Sequence, residues 1–152
     1  MILPIKQASI QGILLGATVI VIVGILDDVY NLPAKVKLLG QIAAAGILIM
    51  FDVKVQLITN PFGGMFILGK YAIPATLFWV VGITNTLNFI DGLDGLAAGI
   101  AAIAAFTMML VNLSLEQIDG VLVMAILAGA AIGFLPYNFN PAKIFMGDTG
   151  AM

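Results

Sequence analysis

Long apolar runs broken by short polar stretches lay out the plan of this chain. Between Ser9 and Leu26 only Ser9, Gln11 and Thr18 are polar, and a helix rising 1.5 Å per residue needs roughly 20 apolar residues to cross a hydrocarbon core. That run stops at Asp27-Asp28, after which Asp28 to Lys37 reads as a short polar connection with Pro33 suited to the first turn of the next helix. The same succession of run and break predicts transmembrane helices over about residues 9–27, 36–51, 73–91, 96–113 and 118–137. Beyond Asn138-Phe139-Asn140-Pro141 another apolar run begins. Between the second and third spans Val53-Lys54-Val55-Gln56-Leu57 alternates, Asn60-Pro61-Phe62-Gly63-Gly64 offers a turn, and Met65 to Leu68 is apolar again. This pattern predicts a small β-hairpin over about residues 53–69, lying outside the bilayer. The expected fold class is an all-α integral membrane protein of about five transmembrane helices plus that hairpin. A single domain over 1–152 is expected, because no repeat, low-complexity tract or linker interrupts the pattern.

Composition agrees with the spans. The chain is 62% hydrophobic and 9% charged, with a mean hydropathy of +1.16, too apolar for the surface of a water-soluble domain of this length. It contains neither Cys nor His, which removes disulfides, thiolate metal sites, imidazole ligands and the usual general base. All basic residues are Lys and the formal net charge is −2, so nucleic acid is not expected as a partner. Met1-Ile2-Leu3-Pro4 lacks a basic start and no cleavage site follows, so no signal peptide is expected. The Gly and Ala content of the fourth span (Ala97, Ala98, Gly99, Ala101, Ala102, Ala104, Ala105) suits close helix packing in lipid.

The polar residues that remain are not scattered. Asn85, Asn88, Asp91 and Asp94 recur every three residues and would form one slanting stripe on a helix that Gly92 and Gly95 end or loosen. With five spans alternating in direction, Asp27, Asp28, Asp91, Asp94 and Asp148 fall on one membrane face, and Asp52, Glu116 and Asp119 on the other. Lysines choose no orientation, because Lys35, Lys37 and Lys143 lie with the acidic cluster and Lys6, Lys54 and Lys70 lie opposite.

Carboxylates crowded at helix ends, poorly screened and in excess over the lysines beside them, call for a cation. Oxygen donors without His or Cys favour Mg²⁺, or Mn²⁺, over zinc, and Mg²⁺ is commonly held by one or two carboxylates plus substrate phosphates. Lysines beside such a metal are natural phosphate contacts. Metal-assisted phosphoryl transfer at a membrane surface is the chemistry this pattern points to. Capping of helix ends explains any single aspartate but the whole set poorly. A cation-binding transport protein is the competing class, although transport would place acids near mid-span. A non-catalytic membrane fragment is a third.

Three ordered motifs carry a family resemblance. Gly24-Ile25-Leu26-Asp27-Asp28 with Asn31 and Lys37, then Asn85-x-x-Asn88-x-x-Asp91-Gly92-Leu93-Asp94-Gly95-Leu96, then Phe145-Met146-Gly147-Asp148-Thr149-Gly150 together resemble the polyprenyl-phosphate N-acetylhexosamine-1-phosphate transferases. The stretch from Asp27 to Lys37 looks most like the N-acetylglucosamine-1-phosphate transferases that start teichoic acid and O-antigen synthesis. The resemblance implies transfer of sugar-1-phosphate, with GlcNAc the expected sugar, from a UDP-N-acetylhexosamine to undecaprenyl phosphate, releasing UMP. It also implies Mg²⁺ and an active site on the cytoplasmic side of the bacterial inner membrane. By position, Asp27 and Asp28 match the family's aspartate pair, with a base or lipid-phosphate-orienting role. Asp91 and Asp94 match catalytic-pocket residues that line the nucleotide–sugar site. Lys37, Asn31, Asn85, Asp94 and Gly95 stand at substrate-binding positions, and Asn88 and Asp148 at metal positions. Only the middle portion of the family is covered, Ala151 stands where Ser is common, and association into a homodimer is left open.

Overall fold

The computed structural model describes residues 7–60 and 62–152; Met1 to Pro4, Lys6 and Pro61, which figured in the reading above, lie outside the described residues. Among the described residues, six α-helices and one two-stranded hairpin follow in the order α1 (Gln7–Tyr30), α2 (Ala34–Met50), β1 (Leu57–Thr59), β2 (Met65–Ile67), α3 (Ala72–Ile90), which a 3-10 turn over Gly69–Tyr71 leads into, α4 (Leu96–Ser114), α5 (Ile118–Asn138) and α6 (Gly147–Ala151). Within the described residues, four helical segments are long and apolar enough to cross a membrane: Ala8–Tyr30, Gly69–Ile90, Leu96–Ser114 and Ile118–Asn138. The second expected span, α2, is a 17-residue helix, just short of their length.

The first helix outruns its predicted end. Asp27 and Asp28 therefore sit within its last turn, and the helix stops where Asn31 takes a left-handed backbone (φ 48°) with its N–H donated to Asp27 O at 2.7 Å. Pro33, extended at ψ 144°, then caps the start of α2. The hairpin is real but shorter than its alternating pattern suggests, pairing Leu57 with Ile67 and Thr59 with Met65. Val53 to Gln56 forms no strand, because the backbone turns to α3 there, where Val55 donates its N–H to Thr76 Oγ1 at 2.9 Å. The polar stripe is shortened too. Helix α3 ends at Ile90 with Asp91 as its C-cap, so Asn85, Asn88 and Asp91 share the helix while Asp94 lies in the connection to α4.

Small residues make the contacts and large ones face outward. Ala44, Ala45, Ala97, Ala98, Ala102, Ala105 and Ala128 are buried, whereas Leu14, Ile103, Phe78 and Ile126 are exposed, the arrangement expected where lipid surrounds the helices. Helix α1 packs on α2 and α6, α2 also on α3, and α4 principally on α5. Gly24 brings α1 and α6 together so closely that a Cβ there would lie 2.6 Å from Thr149 Cα. The chain direction places the C-terminal ends of α1, α3 and α5, the start of α2, and α6 at one end of the molecule.

Candidate active site

Four separate elements meet at Asp148. From α1, Asp27 is 2% exposed; its Oδ1 accepts the Leu32 N–H at 2.8 Å, and its Oδ2 forms an ion pair with Lys37 of α2. Lys37 Nζ then reaches Asp148 Oδ2 at 3.4 Å, and Asn88 of α3 donates through Nδ2 to Asp148 Oδ1. Asp148 is thus gripped on both oxygens, by a cation on one side and an amide on the other. Lys35 is exposed, whereas Lys37 turns inward and is half-buried, as two positions about 200° apart on one helix require.

Asp28 does something different from its neighbour. Its carboxylate accepts the backbone N–H groups of Asp148 at 2.8 Å and Thr149 at 3.1 Å, and the Thr149 hydroxyl donates to it as well. A carboxylate on the first N–H groups of a helix satisfies donors that the helix itself leaves unpaired. Asp28 therefore fixes α6 to α1 and so positions Asp148. Gly147 permits this approach, since it has φ 65° and a Cβ there would sit 3.1 Å from both Asp28 carboxylate oxygens.

Asp91, just beyond α3, is half-buried, and burial, with the Asp148 charge second, pushes its carboxyl above the ordinary carboxylate value. The remaining expected residues lie around this centre instead of in it. Asp94 Oδ2 accepts from Asn140 Nδ2 and from the Ala142 N–H, each at 3.1 Å, and so ties the α3–α4 connection to the α5–α6 connection. Gly95, at φ 74°, donates its N–H to Asn138 Oδ1 at 3.1 Å. Asn31 is exposed in the α1–α2 turn, and Asn85 pairs with Gln41. Thr149, Asn138, Asn140 and Gln41 were not expected at the site from their positions in the sequence. Thr149 stood inside the third motif and Asn138 and Asn140 in the polar break after the fifth span, while Gln41 was an amide inside an apolar helix, four residues from Lys37.

Asp27, Asp91 and Asp148 bring carboxylate oxygens and Asn88 a side-chain amide to this centre, with the Lys37 ammonium among them. No group of three or more Asp or Glu residues forms an all-protein metal cage among the described residues. A hard divalent ion held by one or two carboxylates, with phosphate oxygens and water completing its shell, fits such a set.

Comparison with known proteins places these motifs. The family model described as "Glycosyl transferase family 4" matches residues 10–152. The chain belongs to that family. It is 44% identical over 96% of its length to a probable undecaprenyl-phosphate N-acetylglucosaminyl 1-phosphate transferase of Bacillus subtilis. It is 38% identical over 97% of its length to decaprenyl-phosphate N-acetylglucosaminephosphotransferase of Mycobacterium tuberculosis. A phospho-N-acetylmuramoyl-pentapeptide-transferase of Streptococcus pyogenes is 36% identical over 95% of the chain. The chain spans 41%, 39% and 46% of the lengths of these three relatives. This glycosyl transferase family 4 chain is a membrane protein, and its matched region contains every residue gathered around Asp148.

Proposed function

We propose that the protein transfers N-acetylhexosamine-1-phosphate, with N-acetylglucosamine the expected sugar, from a UDP-sugar to undecaprenyl phosphate at the cytoplasmic face of a bacterial inner membrane, starting a cell-envelope polymer. The observation that carries this reading is the convergence of Asp27, Lys37 and Asn88, from α1, α2 and α3, on the Asp148 carboxylate of α6. An oxygen of the lipid phosphate attacks the β-phosphorus of the nucleotide sugar, the bond from that phosphorus to the bridging oxygen breaks, and UMP leaves with the bond's electron pair. A lipid phosphate needs little deprotonation near neutral pH, because a phosphate monoester has a second pKa of about 6. Positioning and charge neutralisation are then the main tasks.

Lys37 meets phosphate oxygens, and Asp27, whose two oxygens are both engaged, holds Lys37 in place. Asp28 acts through α6 as a positioning residue. Asp148, Asn88 through its side-chain oxygen, and Asp91 would hold Mg²⁺, which supplies charge neutralisation on the transferring phosphate when bound. Acids gathered at helix ends on one face support this reading over cation transport, which needs them near mid-span.

The test is transfer of radiolabelled sugar phosphate from UDP-N-acetylglucosamine to undecaprenyl phosphate in membranes, with Mg²⁺ or with chelator. Turnover should require the metal, and Asp148→Asn should lower it by about a hundredfold or more. Asp28→Asn, still a good helix cap, should retain far more activity than Asp28→Ala. Transfer that persists in chelator, or no transfer by the unaltered protein, would overturn the proposal.

A further inference from the structure

Just beneath the Asp148 centre lie two amides that the proposed transfer chemistry does not use. Gln41 follows Lys37 by four residues on α2 and Asn85 precedes Asn88 by three on α3, so each shares a helix face with a residue that grips Asp148. Gln41 is 1% exposed, whereas Asn85 is exposed. Its Oε1 accepts from Asn85 Nδ2 at 2.6 Å, its Nε2 donates to Asn85 Oδ1 at 3.4 Å, and Nε2 also approaches Met152 Sδ at 3.8 Å. Asn85 Nδ2 additionally donates to Val81 O at 2.7 Å within its own helix.

A reciprocal amide pair constrains two helices more tightly than apolar packing does. Apolar side chains slide past one another at small cost, whereas separating this pair would leave the buried Gln41 amide without its partner and with no water to replace it. The pair therefore restricts both the separation of α2 and α3 and their rotation. Lys37 holds Asp148 Oδ2 and Asn88 holds Asp148 Oδ1, so the α2–α3 spacing sets the width of the gap that Asp148 bridges.

We propose that Gln41, which is buried, and Asn85, which is exposed, form a clamp that sets the separation of Lys37 and Asn88 across Asp148, making Gln41 a positioning residue for the phosphate-handling centre. The geometric part stands without the proposed function; its effect on turnover rests on that reading.

The chain has no Cys, so Lys35→Cys and Phe89→Cys, both exposed and outside the centre, can carry nitroxide labels at the relevant ends of α2 and α3. Electron paramagnetic resonance on this chain in nanodiscs then reads their distance distribution. Gln41→Leu should shift or broaden that distribution and, without the labels, lower kcat about tenfold while KM for the UDP-sugar stays within about twofold. The exchanged pair, Gln41→Asn with Asn85→Gln, keeps the same groups and summed length. It should restore the distribution and recover kcat to within about threefold of the unaltered protein. An unchanged distribution in Gln41→Leu, a shifted distribution with unchanged kcat, or an exchanged pair that restores neither would overturn the clamp. Absence of transfer by the unaltered protein, with the distance shift and its rescue both present, would overturn the proposed function while supporting the clamp's geometry.

Discussion

Lys37 and Lys35 differ by two positions and by everything around them. Lys37 stands between two carboxylates and Lys35 is exposed. Lys37→Ala should lower turnover by at least about tenfold, equivalent to about 1.4 kcal/mol of transition-state stabilisation, whereas Lys35→Ala should change it less than about twofold. Equal kinetics in two normally inserted variants would exclude the phosphate contact. Asp91 offers a measurement of stability. Its carboxyl titrates above the ordinary 3.8 because burial and the Asp148 charge both oppose ionisation. The folded state therefore binds this proton more tightly than the unfolded chain, and the resulting stabilisation, full below the ordinary value, is lost as pH rises through the raised pKa. In metal-free detergent solution Asp91→Asn should melt above the unaltered protein at neutral pH, with the gap closing as pH falls toward 3.8. A constant gap across that range would show that Asp91 is not the group responsible.

Among the elements, α6 depends most on a neighbour. Five residues cannot hold a helix by themselves in water or at a membrane surface, and α6 relies on Asp28 for its N-terminal N–H groups and on Gly24 for close approach. A methyl group at Gly24 would meet Thr149 Cα at 2.6 Å and Asp148 O at 2.9 Å, and backbone atoms do not yield as a flexible side chain does. Gly24→Ala should therefore push α6 away from α1, cost about 1–3 kcal/mol and abolish most turnover. Gly46 has nothing within 4 Å of its would-be Cβ, so Gly46→Ala on α2 should melt at or slightly above the parent temperature. If both variants behave alike, close contact at Gly24 is not what seats Asp148.

At the scale of the molecule, the centre and the hairpin occupy opposite ends. Tyr30, 70% exposed beside Asp27 and Asp28, and Phe62, 96% exposed near the hairpin turn, make convenient markers. In oriented membranes, Tyr30→Cys and Phe62→Cys should react with an impermeant thiol reagent from opposite sides. Reaction from the same side would overturn the arrangement of the helices across the bilayer. The chain spans about two fifths of its Bacillus and Mycobacterium relatives, and within that part the Asp148 centre comes wholly from α1, α2, α3 and α6.

The order of the long helices was legible in the sequence because twenty or so apolar residues in a row admit few other folds, although α2, expected as a span, is a 17-residue helix and four segments reach spanning length among the described residues. The face shared by Asp27, Asp28, Asp91, Asp94 and Asp148 was legible for a similar reason, since alternation of direction needs only the count of spans. What each aspartate does was not. Asp27 and Asp28 are neighbours in sequence, yet about 100° of helical rotation turns one to Lys37 and the other to the start of α6. Asp94 continues the three-residue spacing of Asn88 and Asp91, but α3 ends at Ile90, and the carboxylate goes to Asn140 and Ala142, nearly fifty residues away in sequence. Gln41 meets Asn85 across 44 residues. Local spacing carries the hydrophobic pattern, whereas partners that lie far along the chain are chosen only when the helices pack.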